Sequence, residues 1–478
     1  MEENNKLKRK TILSTFSLFF QSGYSAILGL IANLILTILL SPAIFGIYFT
    51  LLSIISLFNY FSDIGLAASL IQKKEINNDD IKTTFTIQQI LVITLVVIGF
   101  FATSFVMKFY NLPPDGHYLY LSLLISFFIS SLKTIPSIFL ERKIQFQKIV
   151  LVQIIENTTF YLTVSILALL GFGLKSFTFA VIFRSLIGLV IMYSMFFWLP
   201  QIGISLTSLK SLLSFGVPFQ LSSFLAIFKD DLITLYLGKV LGFEALGYIG
   251  WAKKWAEAPI RIIMDNISRV LFPVLSRIQH DKEKVARIIE KILDYQTTLL
   301  APVMISAAML MLPLTILIPK YSKWQPALPL FYLFSISAFL SSYSSPFINL
   351  FNALRKAKIS LIFMIFWTAL TWLLTTTLTK YFGYIGFPMT QVILSSTFIL
   401  VVWQAKKIIH FNFLGSIYKQ LLTTLFMGII IYLIFLLDIP LKYRILMMII
   451  AGSSSYFLIL KILFKIDLIK KVRELLTL

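Results

Sequence analysis

Charged residues recur at helical spacing in one otherwise apolar stretch of the sequence, between Gly247 and Gln279. Four residues of alternating charge follow one another at four-residue steps: Glu257, Arg261, Asp265 and Arg269. On an α-helix this spacing places them on one face, within about 120° of arc. Lys253 and Lys254 precede them by one turn. Such a stripe can bind anions through its cations, or hold a coupling ion on its carboxylates, depending on what it faces.

Composition identifies the chain as an integral membrane protein. Of its 478 residues, 58% are hydrophobic and only 13% are charged, which is far more apolar than a soluble domain of this size. The first apolar segment, 11–40, is too long for the core of a signal peptide and is expected to remain as a span. The net charge of +21 does not indicate a nucleic-acid partner, because the basic residues are spread over short loops. The chain has no cysteine, so disulfides and thiolate metal sites are excluded.

Apolar stretches of about 20 residues predict an all-α polytopic fold with about 14 transmembrane helices. The predicted cores are 12–40, 44–70, 87–107, 118–139, 149–170, 177–199, 212–237, 245–273, 293–318, 327–350, 359–379, 384–404, 415–437 and 445–463. If the N-terminus is cytoplasmic, 26 Lys and Arg residues fall in inside loops and 8 in outside loops. Both termini are therefore expected inside. The count also supports the charged eighth span, since without it every later loop would change side.

The predicted helices group into two pseudo-symmetric six-helix lobes followed by a C-terminal pair. The boundaries are 1–200 for the N-lobe with helices 1–6, 201–410 for the C-lobe with helices 7–12, and 411–478 for helices 13–14. Glycine-flanked hairpins recur, since Gly46 and Gly247 are 201 residues apart and Gly173 and Gly383 are 210 apart. Lobes with even numbers of spans would be parallel repeats about an axis along the membrane normal. Chance matching of such hairpins is the alternative.

The cost of burying charge decides where the stripe points. An ionisable side chain near the bilayer centre costs roughly 2.5–3.5 kcal/mol, so six on one lipid-facing helix would cost on the order of 15 kcal/mol. The stripe is therefore expected to face protein or a water-filled cavity. One interpretation is that Glu257 with Arg261, and Asp265 with Arg269, only neutralise each other as i,i+4 pairs. The other is that the cations line a polar cavity.

Further charges in neighbouring predicted spans complete the candidate site. The residues predicted to line a cationic cavity are Arg184, Lys229, Lys253, Lys254, Arg261 and Arg269. Those predicted to bind a coupling ion or to balance charge are Asp63, Asp230, Asp231, Glu257 and Asp265. Glu156 adds a carboxylate in the fifth span, whereas Lys133 and Lys461 lie near span ends and are expected to snorkel to the interface. Pro259 removes a backbone hydrogen bond in mid-span and is a predicted hinge.

Sequence features of enzymes are absent. The three histidines, His117, His280 and His410, lie in separate predicted loops and form no metal or catalytic cluster. No P-loop pattern occurs, so the chain is not expected to hydrolyse ATP itself. The segment 171–173, Gly-Phe-Gly, lacks the third glycine and the strand of a dinucleotide site. Neither enzymatic catalysis nor a cofactor or metal is expected.

Three short stretches carry a resemblance to a known family. They are 61–66 (FSDIGL) followed by 70–72 (LIQ), 215–218 (FGVP) with Asp231 and 238–248 (GKVLGFEALGY), and 258–259 (AP) with 272–276 (FPVLS). The chain resembles Wzx-type oligosaccharide flippases, the polysaccharide-export branch of the multidrug/oligosaccharidyl-lipid/polysaccharide exporter superfamily. The likeness covers most of residues 10–410, and its motifs are largely structural, so they do not name a substrate. The pair Lys253-Lys254 and the acidic neighbours Glu257 and Asp265 do not match a family signature.

The resemblance implies a two-lobed bundle whose central cavity moves a polyprenyl-pyrophosphate-linked oligosaccharide from the cytoplasmic to the outer leaflet. Lys and Arg in a cavity of low dielectric constant suit the pyrophosphate. The implied location is the plasma or inner membrane, and membrane lipids surround the protein. Expected partners are a polysaccharide polymerase or a glycosyltransferase, with H⁺ or Na⁺ as an open choice of coupling ion.

Three other functions stay open. A multidrug or organic-cation antiporter of the same superfamily should show an excess of carboxylates. With Asp294 and Lys419 near span ends set aside, the predicted spans instead hold eight basic and six acidic residues. A membrane scaffold for polysaccharide assembly that transports nothing would need the charges for folding only. An uptake carrier is a third alternative, since the sequence does not show direction.

Overall fold

The computed structural model describes residues 2–465. Within this range the side chains of some residues lie outside the described part: 2–13, 15, 16, 19, 218, 219, 221–227, 265, 266, 269 and 270. The described chain is helical, without strands, which confirms the predicted all-α class. It divides into two compact units, of which the first ends at Gly247 and the second begins at Tyr248.

The first unit is a bundle of apolar helices. They are α1 (Glu2–Leu39), α2 (Pro42–Phe61), α3 (Leu66–Gln72), α4 (Asn78–Phe101), α5 (Thr103–Tyr110), α6 (Pro114–Ser131), α7 (Thr134–Arg142), α8 (Phe146–Leu169), α9 (Lys175–Met195) and α10 (Leu206–Leu241). In this unit α8 packs against α1 and α9, α6 packs against α9, and α10 packs against α2, α3 and α4. The first unit is therefore longer than the predicted N-lobe, which ends at residue 200, and it includes α10.

The second unit begins at Tyr248, which lies within α11, five residues after the start of that helix. Its helices are α11 (Phe243–Arg277), α12 (Lys282–Leu317), α13 (Leu328–Ser342), α14 (Ser345–Ala353), α15 (Ala357–Phe382), α16 (Gly386–Ser396), α17 (Phe398–Lys406), α18 (Phe413–Phe435) and α19 (Leu441–Phe464), with 3₁₀ turns at Ser322–Ala327 and Gly383–Ile385. The pairs α13–α16 and α15–α16 are in contact, and α18–α19 packs against α12.

Each predicted core falls on one of these helices or on a broken pair. Ten segments of the described chain are long and apolar enough to cross a membrane, or eleven when α6 and α7 count as one span bent by 41°. The multi-pass architecture is therefore present, while the count of fourteen stays a prediction. The predicted lobes are halves of a duplication and the compact units are defined by packing, so the lobe boundaries also stay predictions.

Glycines let α10 approach the break between α2 and α3. The break is at Gly65, whose φ of +76° is readily adopted only by glycine. A Cβ added to Gly216 of α10 would lie 2.8 Å from the Gly65 carbonyl oxygen and 3.0 Å from that of Ile64. One turn further on, Tyr60 Oη donates to the Gln220 carbonyl and Gln220 Nε2 donates to the Tyr60 carbonyl, both at 2.8 Å. The backbone of α10 therefore lies against the backbone of the break, and side-chain-to-backbone hydrogen bonds join α10 to α2.

This contact predicts opposite effects for two glycine-to-alanine substitutions in helices. Gly216→Ala should lower stability by about 1–3 kcal/mol, because backbone atoms must shift to admit the methyl group. Gly23→Ala on α1 meets no atom within 4 Å and should be neutral or stabilising by up to about 1 kcal/mol. Thermal unfolding of the purified variants in detergent measures both. An equal or higher melting temperature for Gly216→Ala would contradict the close approach.

Candidate functional site

Three charged residues of the predicted stripe form a ladder along α11. Arg261 donates a hydrogen bond to one oxygen of the Glu257 carboxylate at 2.9 Å, and the other oxygen lies 3.9 Å from Lys253 Nζ. The i,i+4 pair between Glu257 and Arg261 is therefore formed. One carboxylate serves two cations, so the ladder keeps a net positive charge. The Arg261 side chain is 72% exposed.

An aromatic cluster fixes how α11 is turned. Trp251 is buried, stacks on Trp324 with ring centroids 5.4 Å apart, and donates from Nε1 to the Tyr321 hydroxyl at 3.0 Å. Lys253 and Glu257 lie about 200° and 240° around the helix from Trp251. Burial of the indole consequently turns the ladder away from this cluster.

Fewer contacts are described for the other predicted residues of α11. Lys254 is exposed. The side chains of Asp265 and Arg269 lie outside the described residues, so their predicted pairing is not tested. The helix continues through Pro259, and the hinge at this proline stays a prediction.

The acidic residues of the first unit have structural partners. The Asp63 carboxylate accepts hydrogen bonds from the backbone N–H of Ala67 at 3.0 and 3.2 Å, which caps the start of α3. Asp231 on α10 accepts a hydrogen bond from Ser56 of α2 at 2.8 Å. Next to it Lys229 is half-buried and Asp230 is exposed. The carboxylates of Asp63 and Asp231 therefore contribute to the packing of α3 and α10.

Arg184 is an exposed cation in the middle of a membrane helix. It is the tenth of the 21 residues of α9, and its guanidinium lies 5.8 Å from the centre of the Phe160 ring on α8. Phe160 belongs to an aromatic cluster in which Tyr48 stacks on Phe177 with centroids 4.3 Å apart. We call Tyr48, Phe160 and Phe177 the aromatic shelf. Phe160 of the shelf lies within cation–π distance of the guanidinium, and the Arg184 side chain is exposed, so it can donate hydrogen bonds to an anion.

A second charged site was not among the predicted site residues. Lys133 lies at the break between α6 and α7, and its ammonium forms an ion pair with Glu156 of α8. The two side chains are 15% and 9% exposed. The expectation that Lys133 snorkels to the interface is wrong, because the break turns its side chain toward Glu156. A lone Lys and a lone Glu in neighbouring apolar spans were the available signal, since each needs a partner there.

The Lys133–Glu156 pair borders a cavity of about 280 Å³ between α3, α7, α8 and α9. Arg142 at the end of α7 holds α3 beside it by donating to the carbonyls of Leu70 at 2.7 Å and Lys73 at 2.6 Å. Gly188 of α9 lies against Glu156, and a Cβ there would overlap the carboxylate. The glycine therefore makes room for the buried acid.

The arrangement is suited to binding and movement of polar groups in a membrane. Among residues 2–465, within the part whose side chains are described, no three His, Asp or Glu side chains converge where a metal ion could bind. The cations on α9 and α11 offer hydrogen-bond donors to anions, while the Lys133–Glu156 pair is enclosed.

Comparisons with known proteins agree with this description. The family model described as "Polysaccharide biosynthesis protein" matches residues 35–329, more than half of the chain. The lipopolysaccharide biosynthesis protein WzxC of Escherichia coli is 25% identical over 72% of this chain and 70% of its own length. The succinoglycan biosynthesis transport protein ExoT of Rhizobium meliloti is 23% identical over 75% of this chain and 72% of its own length.

Solved structures share the fold. The lipid II flippase MurJ in an inward closed conformation superposes with a TM-score of 0.76 at 15% identity, covering 95% of this chain and 99% of the other. An inward-facing multidrug transporter of the MATE family in the MOP superfamily gives a TM-score of 0.56 at 15% identity, over 82% and 94%. The predicted resemblance to Wzx-type flippases is confirmed. The chain belongs to the polysaccharide biosynthesis protein family and shares its fold with the MurJ and MATE structures.

Proposed function

We propose that the protein moves a polyprenyl-pyrophosphate-linked oligosaccharide from the cytoplasmic to the outer leaflet of the plasma membrane by alternating access. Two relatives are named for lipopolysaccharide biosynthesis and for succinoglycan transport, and a protein with the same fold is named as a lipid II flippase. Such a substrate needs a cationic partner for its pyrophosphate and a wet path for its glycan. Its lipid tail can stay in the bilayer.

The observation that carries the proposal is the exposed guanidinium of Arg184 in the middle of α9. A lipid-facing Arg at this depth would cost roughly 2.5–3.5 kcal/mol or more, so water or substrate meets it. A guanidinium can bind two phosphate oxygens through parallel N–H groups, which is the strongest common mode of phosphate recognition by a side chain.

Further cations are proposed to contact the substrate, each within its own unit. They are Lys229 on α10 and Lys253, Lys254, Arg261 and Arg269 on α11. Arg261 already has Glu257 as a partner, so it would bind the pyrophosphate with its remaining N–H groups. Pro259 is proposed as the point at which α11 bends during the cycle.

Ion coupling and partner proteins are parts of the same proposal. Asp63, Asp230, Asp231, Glu257 and Asp265 are the acidic residues proposed to bind H⁺ or Na⁺ or to balance charge. A polysaccharide polymerase and a glycosyltransferase would consume and supply the lipid-linked substrate. The protein itself would break no covalent bond and needs no cofactor. A multidrug antiporter would share the fold, but an exposed arginine on the aromatic shelf favours an anionic cargo.

Removing Arg184 tests the proposed function. Arg184→Ala should slow flipping of a fluorescent lipid-linked oligosaccharide in proteoliposomes about 10- to 100-fold. A hydrogen bond to a charged group contributes about 1.5–3 kcal/mol, which corresponds to that range. Arg184→Lys should keep part of the rate, because it keeps the charge and loses the paired donors.

The matched control lies on the same helix. Lys175 begins α9, is exposed and pairs with Asp115 at 3.5 Å, so Lys175→Ala should leave flipping unchanged. Melting temperatures of all variants show whether a loss of flipping reflects unfolding. Normal flipping by folded Arg184→Ala would remove the pyrophosphate role from this residue.

The proposed orientation, with both termini cytoplasmic, has a direct test because the chain has no cysteine of its own. Single cysteines in place of Lys320 and Lys442 should react with an impermeant maleimide in intact cells. Those in place of Lys356 and Lys407 should react only after permeabilisation. The reverse pattern would invert the topology and with it the proposed direction of transport.

A further inference from the structure

The Lys133–Glu156 pair is an enclosed pair of charges within the first unit. The cavity of about 280 Å³ beside the Lys133–Glu156 pair also receives the polar side chains of Ser137, Glu141 and Gln153. The set holds one ammonium, two carboxylates, an amide and a hydroxyl. The hydroxyls of Ser130 and Thr134 also line the cavity, and the rest of the lining is apolar.

Polar residues lead from the end of α7 to the middle of α8. Glu141 is in the last turn of α7, and Ser137, one turn earlier, donates a hydrogen bond to it at 3.3 Å. Lys133 comes one further turn into the membrane and contacts Glu156, the eleventh of the 24 residues of α8. On α8 itself, Gln153 lies one turn nearer to the same end as Glu141. Groups able to exchange protons or hold water therefore recur at each helical turn.

A merely structural role does not account for the buried pair. Replacing a buried ion pair by apolar side chains of similar size is often neutral or stabilising, so packing alone does not require charge here. The fold nevertheless provides for the acid, since Gly188 leaves the space that Glu156 occupies. A charged pair with access along a polar path is typical of proton-transfer sites in membrane proteins.

We propose that Glu156 is a proton-binding site of the transport cycle, reached from the cytoplasm along the path through Glu141 and Ser137. This inference rests on the proposed function and orientation. A proton from cytoplasmic water adds to a Glu156 carboxylate oxygen, and the carboxylate becomes a neutral acid. The Lys133 ammonium keeps its charge and loses its partner, while Glu141 remains in the cavity as the other carboxylate.

The geometry favours a proton over a metal cation as the ligand. The ammonium of Lys133 already occupies the position beside Glu156 that Na⁺ would need, whereas a proton binds to the carboxylate itself. Groups of three acidic or histidine side chains suited to a metal do not occur in the described part of the chain. The helices packed around α8 carry further titratable or charged side chains: Glu141 and Arg142 on α7, Lys175, Arg184 and Tyr193 on α9, and Tyr24 on α1. Lys148 and Tyr161 lie on α8 itself, and Glu2, Glu3, Lys6, Lys8, Arg9 and Lys10 of α1 have side chains outside the described part.

Protonation would act on the packing of the first unit. The ion pair ties the break between α6 and α7 to α8, and the helix axis bends by 41° at this break. Once Glu156 is neutral this tie is lost, and the α6–α7 segment is free to change its bend. Proton binding would thereby be coupled to the bend of the α6–α7 segment.

The test uses the full-length protein in proteoliposomes and compares flipping with and without a pH gradient. A gradient of about one unit can drive at most about tenfold accumulation per proton, and we expect about fivefold stimulation of the wild type. Glu156→Gln should flip at the same rate with and without the gradient.

The double variant Lys133→Met with Glu156→Gln leaves neither member of the pair as an unpaired charge. It should fold, and its flipping rate should also be the same with and without the gradient. Asp115→Asn, which removes an exposed ion pair, is the control and should respond as the wild type does.

Infrared difference spectroscopy detects protonation of the Glu156 carboxylate and does not require transport. Lowering the pH should give a carboxylic-acid band in the wild type that is missing in Glu156→Gln. A wild type that flips but ignores the pH gradient, or a Glu156→Gln variant that keeps the response, would overturn the inference. Stimulation by a Na⁺ gradient at equal pH that depends on Glu156 would overturn the proton assignment. If the wild type does not flip at all, the proposed function fails, and the infrared band alone decides whether Glu156 binds a proton.

Discussion

An ionised side chain inside a bilayer needs either a charged partner or water, and the charged side chains of the helices meet this requirement in different ways. Glu156 and Lys133 satisfy it by pairing across two helices, and Glu257 satisfies it by serving Lys253 and Arg261 on one helix. Arg184 lies 5.8 Å from the centre of the Phe160 ring, and its side chain is exposed. The Lys133–Glu156 pair is enclosed, whereas Arg184 and Arg261 are cations that stay exposed. The proposed substrate contact and the proposed proton site follow from this difference.

Small residues and broken helices make these solutions possible. Gly188 leaves room for the Glu156 carboxylate, and the break between α6 and α7 brings Lys133 to it. Gly65 and Gly216 allow the α2–α3 break to touch α10 through backbone atoms. Contacts of this kind separate and reform without rearrangement of long side chains. They are suited to a protein whose helices must move relative to one another during each cycle.

Features that depend on local sequence patterns could be predicted from the sequence. The helix positions and the all-α class follow from runs of apolar residues, because the length of a membrane span is a property of the segment itself. The Glu257–Arg261 pair was foreseeable for the same reason, since residues four apart on a helix are neighbours. The Lys133–Glu156 pair depends on how two helices pack, and neither residue's own segment reveals it. The hydrogen bonds that Asp63 makes to the start of α3 depend on the break at Gly65, which the continuous apolar run concealed. The packing of α10 against α2 likewise had no signal in either segment.

The proposed function requires that Arg184, the exposed cation in the middle of α9, meets water rather than lipid. Since the natural chain has no cysteine, a single cysteine can be placed at Arg184 or at Val190, an apolar position of the same helix that is 68% exposed. The measurement is the rate of reaction with a small charged thiosulfonate in proteoliposomes. We expect the cysteine at 184 to react fast and the cysteine at 190 not to react. Equal protection at both positions would contradict it, because Arg184 would then face the same lipid as Val190.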